Sequence, residues 1–124
     1  MSARKLLMVT AFAETGAGLA LLFSPPLVAG LLLGAPLDAP GSVVARVAGA
    51  ALLSLGAICW LTHDDGPGRA LRGLVGALLL YNGAALAVLV HAGAVGVVGV
   101  LTWPAVALHA ALAVWCLACV RSRR

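Results

Sequence analysis

Charged residues are scarce in this chain: its 124 residues include 8 Lys and Arg and 4 Asp and Glu, against 63% hydrophobic residues. The charged share is 10%, whereas about 25% is usual for soluble domains. A chain this short cannot hide so much apolar surface in its own core, because small domains have a large surface for their volume. The composition excludes an ordinary soluble domain. It predicts one transmembrane domain over residues 1–124, with the surplus apolar surface facing lipid.

Features of nucleic-acid-binding proteins and of soluble enzymes are also missing. The net charge is +4, but the basic residues form short clusters between apolar runs, not a basic face interleaved with aromatics, so no nucleic-acid partner is expected. The sequence has no nucleophile elbow, phosphate-binding loop or metalloprotease helix, which favours a non-enzymatic protein. The histidines of the later apolar runs lie at different depths, so haem ligation is not predicted, and we expect no cofactor.

Long apolar runs dominate what is present. Each is long enough to cross a bilayer as a helix, and the predicted spans are residues 5–23, 42–62, 70–92 and 97–120. Prolines, a polar turn at 63–68 and a glycine-rich link at 93–96 separate them. The apolar segment 27–33 is too short to cross, and we expect a short helix at the interface or tucked against the bundle. The predicted fold is an all-α four-helix transmembrane bundle.

The basic residues predict the orientation of the bundle. Seven of the eight Lys and Arg lie at the N-terminus, beside the second connection or at the C-terminus. With four spans, these three places share one side of the membrane. Cytoplasmic loops are enriched in Lys and Arg, so both termini are predicted to be cytoplasmic.

Each span carries a strongly polar side chain at depth: Glu14 in the first, Arg46 in the second, Asn82 beside Tyr81 in the third, and His109 in the fourth. An acid in the hydrocarbon region costs at least ~2 kcal/mol, so Glu14 needs a partner, water or a proton. We expect these side chains to form an intramembrane polar cluster in which Glu14 and Arg46 are an ion pair. The cluster is either a ligand or proton site, or a device that locks the bundle in register.

Two further groups allow alternative interpretations. Cys59, Cys116 and Cys119 are weak candidates for a metal or thiol redox site, although cysteine is also a common apolar filler. Trp103 and Pro104 lie in the outer part of the fourth span. There they either form an interfacial belt with a helix kink or make the wall of a ligand pocket.

A family resemblance rests on several strings: Glu14-Thr15-Gly16, Arg46-Val47-Ala48-Gly49, Tyr81-Asn82, and Trp103-Pro104 with His109. Together they resemble a group of small four-span bacterial inner-membrane proteins, known mostly as hypothetical proteins. The resemblance covers nearly the whole chain, and the layout is loosely similar to the DoxX-like four-helix proteins. It implies a multi-pass protein of the bacterial inner (plasma) membrane and no particular activity.

A second resemblance concerns Ala13-Glu14 in the first of four spans, which is similar to the small multidrug resistance exporters. It implies that Glu14 exchanges protons for a cationic substrate. This chain departs from that pattern: its third span lacks the exporters' Trp and Gly-rich packing motif, and its first connection is longer and proline-rich. Arg46 would also neutralise an acid that the exporters need free.

Three classes of function follow. The first is a non-enzymatic membrane protein, either an accessory subunit or a binder of a small lipophilic molecule. The second is a proton-coupled transporter that uses Glu14. The third is a thiol redox or metal-binding membrane protein. The expected partners are the lipid bilayer, a lipophilic small molecule, and a second copy of the chain or a larger membrane complex.

Overall fold

A computed structural model describes residues 2–122, which form helices and no strand. The helices within this range are Ala3–Phe23 (α1), Pro25–Leu33 (α2), Ala39–Thr62 (α3), Arg69–Ala94 (α4) and Thr102–Arg121 (α5). By length and composition, α1, α3, α4 and α5 can each cross a membrane. The predicted all-helical bundle with four membrane-competent helices is confirmed. Of the basic residues used to predict orientation, Arg123 and Arg124 lie outside the described residues, and the orientation stays a prediction.

Two helix ends differ from the sequence prediction by three residues or more. α3 begins before residue 42, because Asp38 caps it: its Oδ1 accepts a hydrogen bond from the Gly41 backbone N–H at 2.7 Å, and a proline follows in the first turn. Such side-chain caps satisfy one of the free N–H groups at a helix start. α5 begins at Thr102, later than predicted, because the preceding residues form an irregular connection that contacts α2.

The hydrophobic core occupies one half of the bundle, which we call the closed half. All four long helices contribute to it, through Ala3, Leu6, Leu7 and Ala11 of α1, Cys59 of α3, Leu71, Val75 and Leu78 of α4, and Leu112, Cys116 and Cys119 of α5. At the same end of the bundle, Arg4 Nε lies 2.7 Å from Asp64 Oδ1. The N-terminus and the α3–α4 connection are therefore neighbours.

α1 and α3 pack with their backbones in contact. A Cβ atom on Gly18 would lie 2.7 Å from the Gly49 carbonyl oxygen and 2.7 Å from the Leu53 nitrogen, and a Cβ on Gly49 would lie 2.7 Å from the Gly18 oxygen. Small residues allow such close approach between membrane helices. On α4, by contrast, Gly76 and Gly83 have no atom within 4 Å of an added Cβ. Gly18 and Gly49 thus serve close helix packing among the described residues, whereas Gly76 and Gly83 do not.

The short helix α2 is tucked against the bundle by the α4–α5 connection. The Leu31 carbonyl accepts a hydrogen bond from the Leu101 N–H at 2.8 Å, and the Leu32 carbonyl accepts one from the Gly99 N–H at 3.2 Å and another from the Thr102 hydroxyl. A helix C-terminus leaves carbonyls without intrahelical partners, and lipid cannot supply donors for them. These contacts satisfy the end of α2 and hold it across the other half of the bundle.

Candidate functional site

A cavity of about 710 Å³ occupies the half of the bundle opposite the hydrophobic core. We call this part the open half. Its walls come from α1, α2, α4 and α5, with Leu52 from α3, and most of the lining side chains are aliphatic. Pockets for small molecules in proteins usually have volumes of about 300–1,000 Å³ and mainly apolar walls with a few polar groups. The cavity therefore has the size and the character of a small-molecule site.

The cavity lies where the two helix pairs separate. α1 packs mainly on α3, and α4 packs mainly on α5, while contacts between the pairs are far fewer. In the closed half all four helices still share one core. Toward the open half they leave a space, and α2 covers part of it with Leu27, Val28, Leu31 and Leu32.

Glu14 and Tyr81 form the first polar pair on the wall of this cavity. The Tyr81 hydroxyl donates a hydrogen bond to Glu14 Oε2 at 3.2 Å, which joins α1 to α4. Glu14 is 3% exposed, yet it lines the cavity. Its second oxygen, Oε1, accepts no hydrogen bond from the described residues. One carboxyl oxygen is thus held by the protein and the other is left for water or a ligand.

Asn82 and His109 form the second pair. The Asn82 side chain donates from Nδ2 to the Leu78 carbonyl at 2.9 Å, which leaves its Oδ1 as an acceptor. His109 Nδ1 lies 2.9 Å from that Oδ1, so Nδ1 carries the hydrogen and donates. In the neutral imidazole Nε2 is then an acceptor. Asn82 is completely buried, whereas His109 lines the cavity.

The two pairs adjoin each other and mark the boundary between the two halves. The rings of Tyr81 and His109 meet edge to face, with centroids 5.7 Å apart. The core residues of α4 and α5 nearest to this boundary are Leu78 and Leu112, and the cavity begins at Glu14, Tyr81 and His109. We call Glu14, Tyr81, Asn82 and His109 the polar floor of the cavity. Of the predicted cluster, these four residues are brought together.

Arg46 does not join the polar floor, and the expected ion pair with Glu14 is wrong. Its guanidinium donates from Nη1 to the Leu22 carbonyl of α1, and its side chain is exposed. Leu22 lies two helical turns beyond Glu14, or ~12 Å along the axis. A long arginine side chain can satisfy itself at a helix end, away from the hydrocarbon centre. Among the described residues, no Lys or Arg forms an ion pair with Glu14.

The predicted pocket wall is half right. Pro104 lines the cavity, but Trp103 does not. The Trp103 ring packs instead near Gly93, where an added Cβ would lie 3.0 Å from the ring. Trp103 thus packs on α4 outside the cavity, while Pro104 forms part of the cavity wall.

The three cysteines are buried in the closed half. In the part of the chain that the structure describes, no three His, Cys, Asp or Glu side chains are arranged to hold a metal ion. Cys59, Cys116 and Cys119 belong to the hydrophobic core, as the apolar-filler interpretation predicts. The described residues therefore give no support to these weak candidates for a metal site.

The small and aliphatic residues that give the cavity its shape were not among the predicted site residues. Ala17 and Leu21 follow Glu14 at helical spacing, and Ala85 and Val88 follow Tyr81 in the same way. Residues three, four and seven apart share one helix face. These positions could therefore have been identified from the sequence by their helical spacing from Glu14 and Tyr81.

No protein-family model, curated protein or solved structure matches the chain. A function for this protein has to be argued from the chemistry of the site, because a helical bundle alone does not define one.

Proposed function

We propose that this is an integral membrane protein that binds one small lipophilic molecule in the cavity of the open half. The observation that carries the proposal is the combination of a cavity of about 710 Å³, aliphatic walls and a polar floor at the middle of the spanning helices. Aliphatic walls favour an apolar ligand body. A few convergent polar groups fix ligand orientation in such sites.

The burial of the polar floor also supports a binding role. A carboxylate at this depth is costly unless it has partners, and Glu14 has one hydrogen bond from Tyr81 where a carboxylate can accept several. A device that only locked the bundle would be expected to satisfy both oxygens of Glu14 within the protein. The free oxygen on the cavity wall is what a ligand site needs.

The proposal is tested with a pair of neighbouring alanines on α4. Ala85 lines the cavity, whereas Ala84 is exposed on the outside of the helix. Purified protein in nanodiscs is labelled with a decanol analogue that carries a diazirine, and the labelled residues are mapped by mass spectrometry. We expect saturable labelling of cavity residues that Ala85→Phe reduces about tenfold and Ala84→Phe leaves unchanged. Equal labelling of both variants would contradict a ligand site in the cavity.

Proton-coupled transport is the second candidate, and the position of Glu14 on the cavity wall favours it. Transport would require the closed half to open, because the cavity ends at the polar floor and the shared core lies beyond it. Uptake of a lipophilic amine into proteoliposomes, driven by a pH gradient and lost in Glu14→Gln, would support transport. Binding without such uptake would support the binder.

We further propose that the protein lies in a bacterial inner membrane with both termini in the cytoplasm. The ion pair between Arg4 and Asp64 supports one part of this, because it makes the N-terminus and the α3–α4 connection neighbours. Basic residues cluster at this end of the bundle. A C-terminal green fluorescent protein fusion is expected to fluoresce, and a C-terminal alkaline phosphatase fusion to be inactive. The reverse pattern would contradict the orientation.

A further inference from the structure

The hydrogen-bonding capacity of the polar floor limits what a ligand can be. The Tyr81 hydroxyl donates to Glu14, the Asn82 amide donates to Leu78, and His109 Nδ1 donates to Asn82. When Glu14 is a carboxylate and His109 is neutral, these side chains therefore present no unengaged donor to the cavity, because the second N–H of Asn82 Nδ2 belongs to a completely buried side chain that does not line it. The atoms left for a ligand are Glu14 Oε1 and His109 Nε2, and both are acceptors.

The charge of the polar floor also favours a ligand that donates a hydrogen bond. Among the described residues, no basic side chain forms an ion pair with Glu14, and Arg46 is engaged elsewhere. A ligand carboxylate or ether oxygen would find no donor there and would leave its own polar atom unsatisfied, which is costly in a water-poor site. A hydroxyl or amine would instead satisfy acceptors that the protein leaves unpaired.

The end of the cavity opposite the polar floor is apolar, and this determines how a ligand would be oriented. The wall formed by α2 and the start of α5 consists of apolar side chains, among them Leu27, Leu31 and Leu101. On α1 the lining runs from Ala13 to Leu21, a rise of ~12 Å. A phospholipid does not fit this arrangement, because its headgroup would meet the apolar end and its chains would be longer than the cavity.

From these observations we propose that the ligand is a compact lipophile with a hydrogen-bond donor at one end, such as an aliphatic alcohol, a phenol or an amine. It binds donor-first, with the donor shared between Glu14 Oε1 and His109 Nε2 and the apolar body extending toward α2. This inference rests on the proposed binding function and names the class of its ligand.

The test compares probes that share one alkyl chain and differ only in the end group. Decanol, decylamine, decanoate and methyl decyl ether each compete against the diazirine-bearing decanol analogue for labelling of cavity residues in nanodiscs. We expect decanol and decylamine to compete about three- to tenfold better than the ether, as one hydrogen bond predicts. We expect decanoate to compete no better than the ether.

A matched pair of histidine variants assigns the preference to the floor. His109→Phe keeps a ring on the cavity wall but removes Nε2, whereas His91→Phe changes an exposed histidine that does not line the cavity. In His109→Phe the advantage of decanol over the ether should shrink while labelling of the cavity persists. His91→Phe should keep the full advantage.

The outcomes separate the inference from the function on which it rests. If neither donor-ended probe exceeds the ether, or if decanoate competes best, the donor-first ligand is wrong and the lipophile-binding function stands. If the labelling of wild-type protein is no stronger than that of Ala85→Phe, the binding function fails and the inference fails with it. Retention of the full decanol advantage in His109→Phe would also overturn the inference.

Discussion

The Tyr81 hydroxyl and Glu14 Oε2, which are 3.2 Å apart, connect two helices that otherwise have little direct contact. Tyr81 is on α4 and Glu14 is on α1, and each helix packs mainly on a different neighbour. The bond lies where the shared core ends and the cavity begins. It therefore joins the two helix pairs at the point where they separate, and it also positions the carboxyl group toward the cavity.

The first prediction concerns the strength of this connection. Tyr81→Phe removes the donor with little change of shape, and we expect it to lower the free energy of unfolding by about 0.5–1.5 kcal/mol. In a double-mutant cycle with Glu14→Gln, the two residues should show a coupling energy of about 0.6 kcal/mol or more, the average for hydrogen bonds between membrane helices. Reversible unfolding in mixed micelles measures both quantities. Strictly additive effects of the two substitutions would mean that the bond contributes nothing.

A second prediction follows from the separation of Arg46 and Glu14. Because Arg46 donates to the Leu22 carbonyl and not to Glu14, the effects of Arg46→Met and Glu14→Gln on the free energy of unfolding should add. Residues without shared partners usually behave in this way. The same unfolding assay applies, and the Glu14–Tyr81 cycle is the positive control. A coupling energy between Arg46 and Glu14 as large as that between Tyr81 and Glu14 would indicate that Arg46 and Glu14 do form an ion pair.

The helical fold was predictable from the length of the apolar runs, and the convergence of the polar floor was predictable for a separate physical reason. Lipid offers no partner to Glu14, Asn82 or His109, so each must turn toward another helix. Arg46 does not turn toward the other polar residues, because depth alone does not fix the direction of a side chain. The long side chain of Arg46 brings its guanidinium to the Leu22 carbonyl near the end of α1. A short polar side chain in a span is therefore confined to its depth, whereas a long one is not.

The cavity was not predictable, because it depends on how far apart the helices lie in the open half. That separation follows from contacts between residues distant in sequence. Gly18 and Gly49 allow the backbones of α1 and α3 to pack in contact. The connection before α5 holds the end of α2 by hydrogen bonds. Hydropathy identifies each of these segments but says nothing about their pairing.

The third prediction uses glycines that differ only in what surrounds them. At Gly18 an added methyl group would lie 2.7 Å from backbone atoms of α3, which cannot move aside without separating the helices. We expect Gly18→Ala to destabilise the protein by about 1–3 kcal/mol, the usual cost of overpacking. At Gly83 nothing lies within 4 Å of the added Cβ, and Gly83→Ala should be neutral or stabilising by up to ~1 kcal/mol.

Both variants replace a helical glycine by alanine and lose the same backbone freedom. This effect cancels when their free energies of unfolding are compared in the same assay. Equal effects at Gly18 and Gly83 would contradict the close packing of α1 on α3. A marked destabilisation by Gly83→Ala would instead indicate that this face of α4 packs against something outside the chain.

The last prediction concerns how α2 is held over the cavity. The Thr102 hydroxyl donates to the Leu32 carbonyl and accepts from the Gly99 N–H at 2.8 Å. Thr102→Val is close to isosteric and removes both of these bonds, and because the Gly99 N–H still donates to the Leu32 carbonyl, α2 should loosen by about 0.5–1.5 kcal/mol. Faster hydrogen exchange of the α2 amides and weaker labelling by the decanol analogue are expected together, because α2 is one wall of the cavity. Thr62→Val is the matched control, since the Thr62 hydroxyl bonds only within its own helix, to the Ile58 carbonyl at 2.7 Å. If Thr102→Val leaves α2 exchange at the rate seen in Thr62→Val, the hydroxyl does not anchor the helix. The backbone bonds from Gly99 and Leu101 would then be sufficient to hold it.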